Sequence, residues 1–155
     1  MGTLFMKQKA LSIRENYELY CGDELKYIIK RRKLMAKMPV YDIYKEEGTV
    51  GSVEVVSKTS PLTFKISLNG NDEGEIKYEE IPGVNKLDYP SKGITIDGNS
   101  ILSEFVIKDA GKKTIGTIKK KIVSVGDTYD ITFENDADEL LFAALALVTD
   151  ETFHG

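Results

Sequence analysis

The chain contains one thiol and one imidazole, and cysteine-based nucleophilic catalysis needs the two side by side. Cys21 stands in a turn-forming "CGD" and His154 is the last residue but one. A thiol becomes a useful nucleophile when a neighbouring base or positive charge stabilises the thiolate. A histidine so near a terminus expected to fray is badly placed for that work, and Cys21 reads instead as a cysteine buried at a strand end. One Cys and one His fall short of a structural zinc set. A lone cysteine makes no internal disulfide, which fits a reducing compartment. The one strong helix signal follows "FENDAD" rather than a glycine-rich loop, so no phosphate-binding loop is expected, and no cofactor.

Carboxylates come closest to a metal motif in "NGNDEGEIKYEE" (69–80). Asn69, Asn71, Glu73, Gly74, Ile76 and Glu80 fall at positions one, three, five, six, eight and twelve of a calcium loop. The first position should be Asp, however, and the flanks "FKISL" and "IKYEEI" alternate like strands where that loop needs helices. A β-hairpin with an acidic tip is expected, with weak calcium occupancy at 69–75 left open.

Cations recur in alternating pairs: Lys7 and Lys9, Lys30 and Arg32, Lys119 and Lys121. In a strand, each pair points to one side of the sheet. With Met6, Ala10, Ile118 and Ile122 facing the core, the pairs face outward. They form either a solvated wall or a patch for anionic lipid head groups. Gln8, Arg31 and Lys120 then point nominally inward, which places them at a barrel end or at a bulge. A net charge of −4 supplies no global field for nucleic acid.

The elements that must position these residues are strands. Tyr17 and Leu19, Tyr41 and Ile43, and Ile94 and Ile96 alternate with polar neighbours. "CGD", "NGND", "DGN", "DAGKK" and "VGD" separate the runs. The runs also repeat. "MKQKALSIRENY" (6–17) lies over "IKKKIVSVGDTY" (118–129) without a gap, matching Lys7 with Lys119, Ser12 with Ser124 and Tyr17 with Tyr129. Looser copies cover 29–41 and 53–64, and strand starts at Phe64 and Phe105 follow the same aromatic-x-aliphatic pattern. Two strands per repeat give roughly ten to twelve antiparallel strands, which must curl or close to remove their edges.

One segment resists this pattern. "DADELLFAALALVTD" (136–150) has no polar face from Leu140 to Val148, so as a helix it must be surrounded on all sides. Its nine apolar residues reach roughly 13 Å, too short for a bilayer core of about 30 Å. A barrel of a dozen strands, however, is too wide for its own side chains to fill. A helix over 137–149 is therefore the expected plug, with Leu140, Leu141, Phe142, Leu145, Leu147 and Val148 in the core. Asp136 and Glu139 have the spacing of a capping box.

"MKQKALSIRENYELY", "IKKKIVSVGDTYDITF" and "ADELLFAALALVTD" together resemble the LURP-one-related family, whose fold is similar to the tubby C-terminal domain and is shared with phospholipid scramblases. The resemblance is weakest between about 70 and 100. It implies a twelve-stranded barrel around a central hydrophobic C-terminal helix. Tubby domains bind phosphoinositide head groups and scramblases are membrane-associated, but no run here matches the tubby lipid-contacting motif, so no ligand residue carries over.

The length suits one domain, 1–155, and 41% hydrophobic with 30% charged residues is ordinary for a globular chain. MGTLFMKQKA lacks the layout of a signal peptide. The expectation is a mainly β, non-enzymatic, cytoplasmic barrel module, peripheral to the membrane if the cations meet lipid. It would bind anionic lipid head groups, another small ligand or a protein partner. The alternative is a soluble scaffold or regulatory module without lipid affinity, and a carboxylate-based enzyme is a third reading. No nucleic acid partner and no transmembrane segment are expected, and oligomeric state is left open.

Overall fold

The computed structural model describes residues 1–9, 17–33, 37–122 and 127–154. Its strands are β1 (Gly2–Gln8), β2 (Tyr17–Cys21), β3 (Glu24–Arg31), β4 (Val40–Lys45), β5 (Gly48–Ser57) and β6 (Leu62–Leu68). They continue as β7 (Asn71–Tyr78), β8 (Lys86–Tyr89), β9 (Ile94–Gly98), β10 (Glu104–Lys108), β11 (Thr114–Ile122) and β12 (Asp127–Phe133). An α-helix, α1 (Glu139–Phe153), follows.

Each strand pairs antiparallel with the next in sequence, and β1 pairs with β12, so the sheet closes into a barrel. Alternation does the sorting. Leu4 and Met6 of β1, Phe64 and Ile66 of β6, and Tyr129, Ile131 and Phe133 of β12 all point inward and are buried. Tight turns set the registers. Asn69 and Gly70 both have positive φ (51° and 80°), the backbone a two-residue hairpin needs, and Leu68 lies opposite Asn71. The acidic segment is thus a hairpin, as its alternating flanks require.

The β1–β2 and β11–β12 hairpins share a register. Met6 faces Leu19 as Ile118 faces Ile131, and Gln8 faces Tyr17 as Lys120 faces Tyr129. Tyr17 and Tyr129 are both fully buried. The connections of these two hairpins, and Ala10 and the Ile122 side chain with them, lie outside the described residues.

Helix α1 runs through the barrel. Phe142, Leu145, Leu147 and Val148 are fully buried, Leu141 nearly so, and Leu140 is half-buried at the entrance. Gly116 is needed for the fit, because a Cβ there would collide with the Phe142 ring and with Thr132 O. The helix starts and ends later than the expected 137–149. Residues 136–138 form a 3-10 turn, capped by Asn135 Oδ1, which accepts from Ala137 N at 3.0 Å. Asp136 and Glu139 make no capping box; Glu139 instead accepts from the Tyr27 hydroxyl at 2.8 Å. At the far end the helix extends to Phe153, which stacks on Phe105 and meets Tyr78 edge-on.

Among the described residues, no helix is long and apolar enough to cross a membrane.

Candidate functional site

The chemistry at the end of α1 is carried by Asp150, buried to 1% exposure directly after the apolar run. The Tyr17 hydroxyl donates to Asp150 Oδ2 at 2.6 Å and the Tyr129 hydroxyl donates to Oδ1. Glu151 Oε1 lies 3.0 Å from the Tyr17 hydroxyl. The two tyrosines hold matching places in their hairpins, so the barrel grips one carboxylate with two equivalent arms. A carboxylate in the last turns of a helix also faces the negative end of the dipole, so these donors are needed.

Burial pushes the Asp150 carboxyl above its ordinary range, against the opposing pull of the two tyrosine hydrogen bonds. Burial first, then the charge of Asp150, holds both Tyr17 and Tyr129 far above the usual phenol range. A neutral phenol on each carboxylate oxygen makes a structural clasp. It could hold a proton but offers no open position to a substrate.

The sequence-predicted cations do converge. Lys119 and Lys121 are on β11, Lys7 is on β1 with Lys9 just past its end, and Lys30 is on β3 with Arg32 just past its end. The sheet order β11–β12–β1–β2–β3 puts all six on one wall, where alternate strands are about 10 Å apart. The strands carry acids as well. Lys121 lies 2.8 Å from Asp130, Lys9 3.7 Å from Glu18, and Lys119 3.9 Å from Glu104. Arg32 forks onto Asp42 at 2.7 and 3.0 Å, which holds its guanidinium above the usual range. Lys30 sits over the Tyr44 ring at 5.7 Å. Lys7 makes no ion pair among the described residues.

Gln8, Arg31 and Lys120 are half-buried at the barrel end, and none lies at the register shifts of their strands. Lys120 reaches Asp127 at 3.4 Å.

Two expectations need correction. Cys21 is exposed, not buried, because it ends β2 where the chain turns through Gly22. His154 is held rather than frayed: its Nε2 lies 2.7 Å from Leu102 O, and its ring meets Phe105 and Tyr129. The thiol is at the end where α1 begins and the imidazole at the end where it stops. They do not meet.

The acidic hairpin tip is engaged with lysines. Asp72 lies 3.7 Å from Lys65 and Glu73 2.8 Å from Lys92, while Gly74 N donates to Asp72 Oδ1. Among the described residues no three Asp, Glu, His or Cys side chains gather as a metal site.

A closed antiparallel barrel, filled by its own C-terminal helix and latched by a buried carboxylate, defines a helix-plugged barrel class. Within that class the chain belongs to the LURP-one-related family, whose model matches residues 3–150. It is 26% identical over 148 residues to the uncharacterized protein YxjI of Bacillus subtilis, covering 95% of this chain and 91% of YxjI. No solved structure matches.

Proposed function

We propose that the chain is a non-enzymatic, cytoplasmic binding module that docks on anionic lipid head groups. The carrying observation is the collection of Lys7, Lys9, Lys30, Arg32, Lys119 and Lys121 on or just past β11, β1 and β3, the alternate strands of a run of five. The helix fills the interior, which leaves recognition to the outer surface. Each cation near an anionic bilayer contributes about 1 kcal/mol.

The ion pairs with Glu18, Glu104, Asp130 and Asp42 favour a second reading, in which this wall is solvated and the module is a scaffold for a protein partner without lipid affinity. Exposed pairs of this kind are weak and screened by salt. They can therefore exchange partners at a charged surface.

Vesicles containing phosphatidylserine separate the readings. The wild type is expected to sediment with them at low salt and to release as salt rises, since screening acts within about 10 Å at 0.1 M. Lys7, Lys9, Lys119 and Lys121 changed together to Glu should abolish binding in a folded protein. A wild type that ignores such vesicles at low salt leaves the scaffold reading alone.

A further inference from the structure

The meander sends successive connections to alternate ends of the barrel. The end where α1 stops receives the β3–β4, β5–β6, β7–β8 and β9–β10 connections, and the end where α1 begins receives the others between them. These two ends differ chemically. Met38, Val56, Ile81, Val84 and Ile101 are exposed large apolar side chains, all at the end where α1 stops. Ile101 is 77% and Ile81 49% exposed, whereas the opposite end shows only Met1 and Leu25 in this class among the described residues.

Charge divides the same way. Lys33, Lys37 and Lys58 stand exposed in the connections of the apolar end and make no ion pair among the described residues, and Lys9 and Arg32 are beside them. The described acids of those connections are Glu79 and Glu80, and Asp127 of β12 and Asp150 and Glu151 of α1 stand near the same end. The connections of the opposite end hold Asp23, Glu46, Glu47, Asp109, Glu134, Asp136 and Asp138, against Lys92, Lys112 and Lys113. The net charge of −4 therefore conceals a polarity. The surplus of acid lies at the far end of strands about 20 Å long, beyond the screening distance of about 10 Å.

We infer that the end of the barrel where α1 terminates is the docking face, and that its apolar loop tips enter the surface of an anionic phospholipid bilayer. This rests on the lipid reading above and gives it an orientation. The paired cations of the wall all lie in, or just past, the halves of β1, β3 and β11 nearest this end, so they stand at head-group level once the tips are inserted. The occupant is a bilayer because the apolar side chains stand on separate elements, Met38, Ile101 and the Ile81–Val84 pair on three connections and Val56 near the end of β5, among lysines that make no ion pair among the described residues. Separate tips suit a fluid interface of apolar depth and anionic surface. The acidic end faces away, and the resulting dipole orients the molecule as it approaches.

The protein carries its own control for the test. Cys21 is exposed at the acidic end, so an environment-sensitive fluorophore on it should keep its aqueous emission when vesicles of phosphatidylcholine and phosphatidylserine are added. The same label on Cys21→Ser/Ile101→Cys should shift to the blue on those vesicles and stay unchanged on phosphatidylcholine alone. Ile81→Asp/Ile101→Asp should lose about tenfold or more in vesicle affinity. If that variant binds like the wild type and the label at 101 stays in water, while the four-lysine Glu variant loses binding, the barrel docks on its side. The end-on inference is then overturned and the lipid reading survives. A wild type that does not bind at low salt overturns both.

Discussion

Replacing Tyr129 by Phe deletes one oxygen atom and leaves the buried ring in place, so it measures the grip on Asp150 directly. The hydroxyl donates to Asp150 Oδ1, and Asp150 retains the Tyr17 hydroxyl at 2.6 Å. A hydrogen bond to a charged group contributes about 1.5–3 kcal/mol, and the oxygen left behind is too deep for water to replace the donor freely. A loss of about 2 kcal/mol is expected, which in a domain of this size lowers Tm by about 4–8 °C. Tyr17→Phe should cost a similar amount. The double variant should lose more than the sum at neutral pH, because the carboxylate then has neither hydroxyl donor. Burial already raises the Asp150 carboxyl above its unfolded value. A group shifted that way favours the folded state at low pH, and that contribution is lost as pH rises through the folded value. Removing both donors removes a term that opposes the rise, so the double variant should regain stability on acidification. Urea unfolding followed by circular dichroism from pH 7 down to pH 5 reads all four proteins. A Tyr129→Phe variant within 0.5 kcal/mol of wild type (about the spread expected of a neutral surface change), with a double variant indifferent to pH, would refute the clasp.

The plug itself is tested by Leu145→Asp, which puts a charge at a fully buried position and should abolish cooperative folding; deletion after Glu134 should leave an aggregating barrel, and a soluble, cooperatively unfolding truncation would contradict the helix's role. Alkaline titration gives a further check. Burial raises Tyr17, Tyr27 and Tyr129, and pushes Tyr89 up to about 12. Above pH 10 the unfolded phenols ionise while the folded ones stay protonated, so stability is held below pH 10 and lost above it, by up to about 1.4 kcal/mol per pH unit for each tyrosine. Denaturant midpoints measured between pH 9 and pH 11 should fall steeply, and less steeply in Tyr17→Phe/Tyr129→Phe.

The barrel was legible because period-two alternation and an all-apolar helix each admit few homes. Tyr17, Tyr41, Phe64, Phe105 and Tyr129 stood at strand starts and are all buried. The clasp left a signal that alternation cannot interpret: Asp150 closes an apolar run in which any charge needs a partner, and Tyr17 and Tyr129 are matched across the two hairpins. Their meeting depends on where the helix lies in the barrel, which no local pattern encodes. The capping-box spacing at Asp136 misled because Asn135 offered an earlier cap and Tyr27 claimed Glu139. Cys21 and His154 depart from expectation for the same reason. Proximity to a turn or a terminus says nothing of what packs there, and His154 is held by the distant Leu102 carbonyl.

The pairing of β1 with β12 also sets an order in time. The first strand of the barrel to be made has an edge whose partner is the last of its strands, and α1 follows even that. Until then the nascent chain is an open sheet with one apolar face and two unpaired edges, a species prone to sticking. Contacts this distant in sequence also form slowly. Closure of the barrel therefore waits until β12 and α1 have been made, and the burden on chaperones falls after the last strand rather than along the sheet.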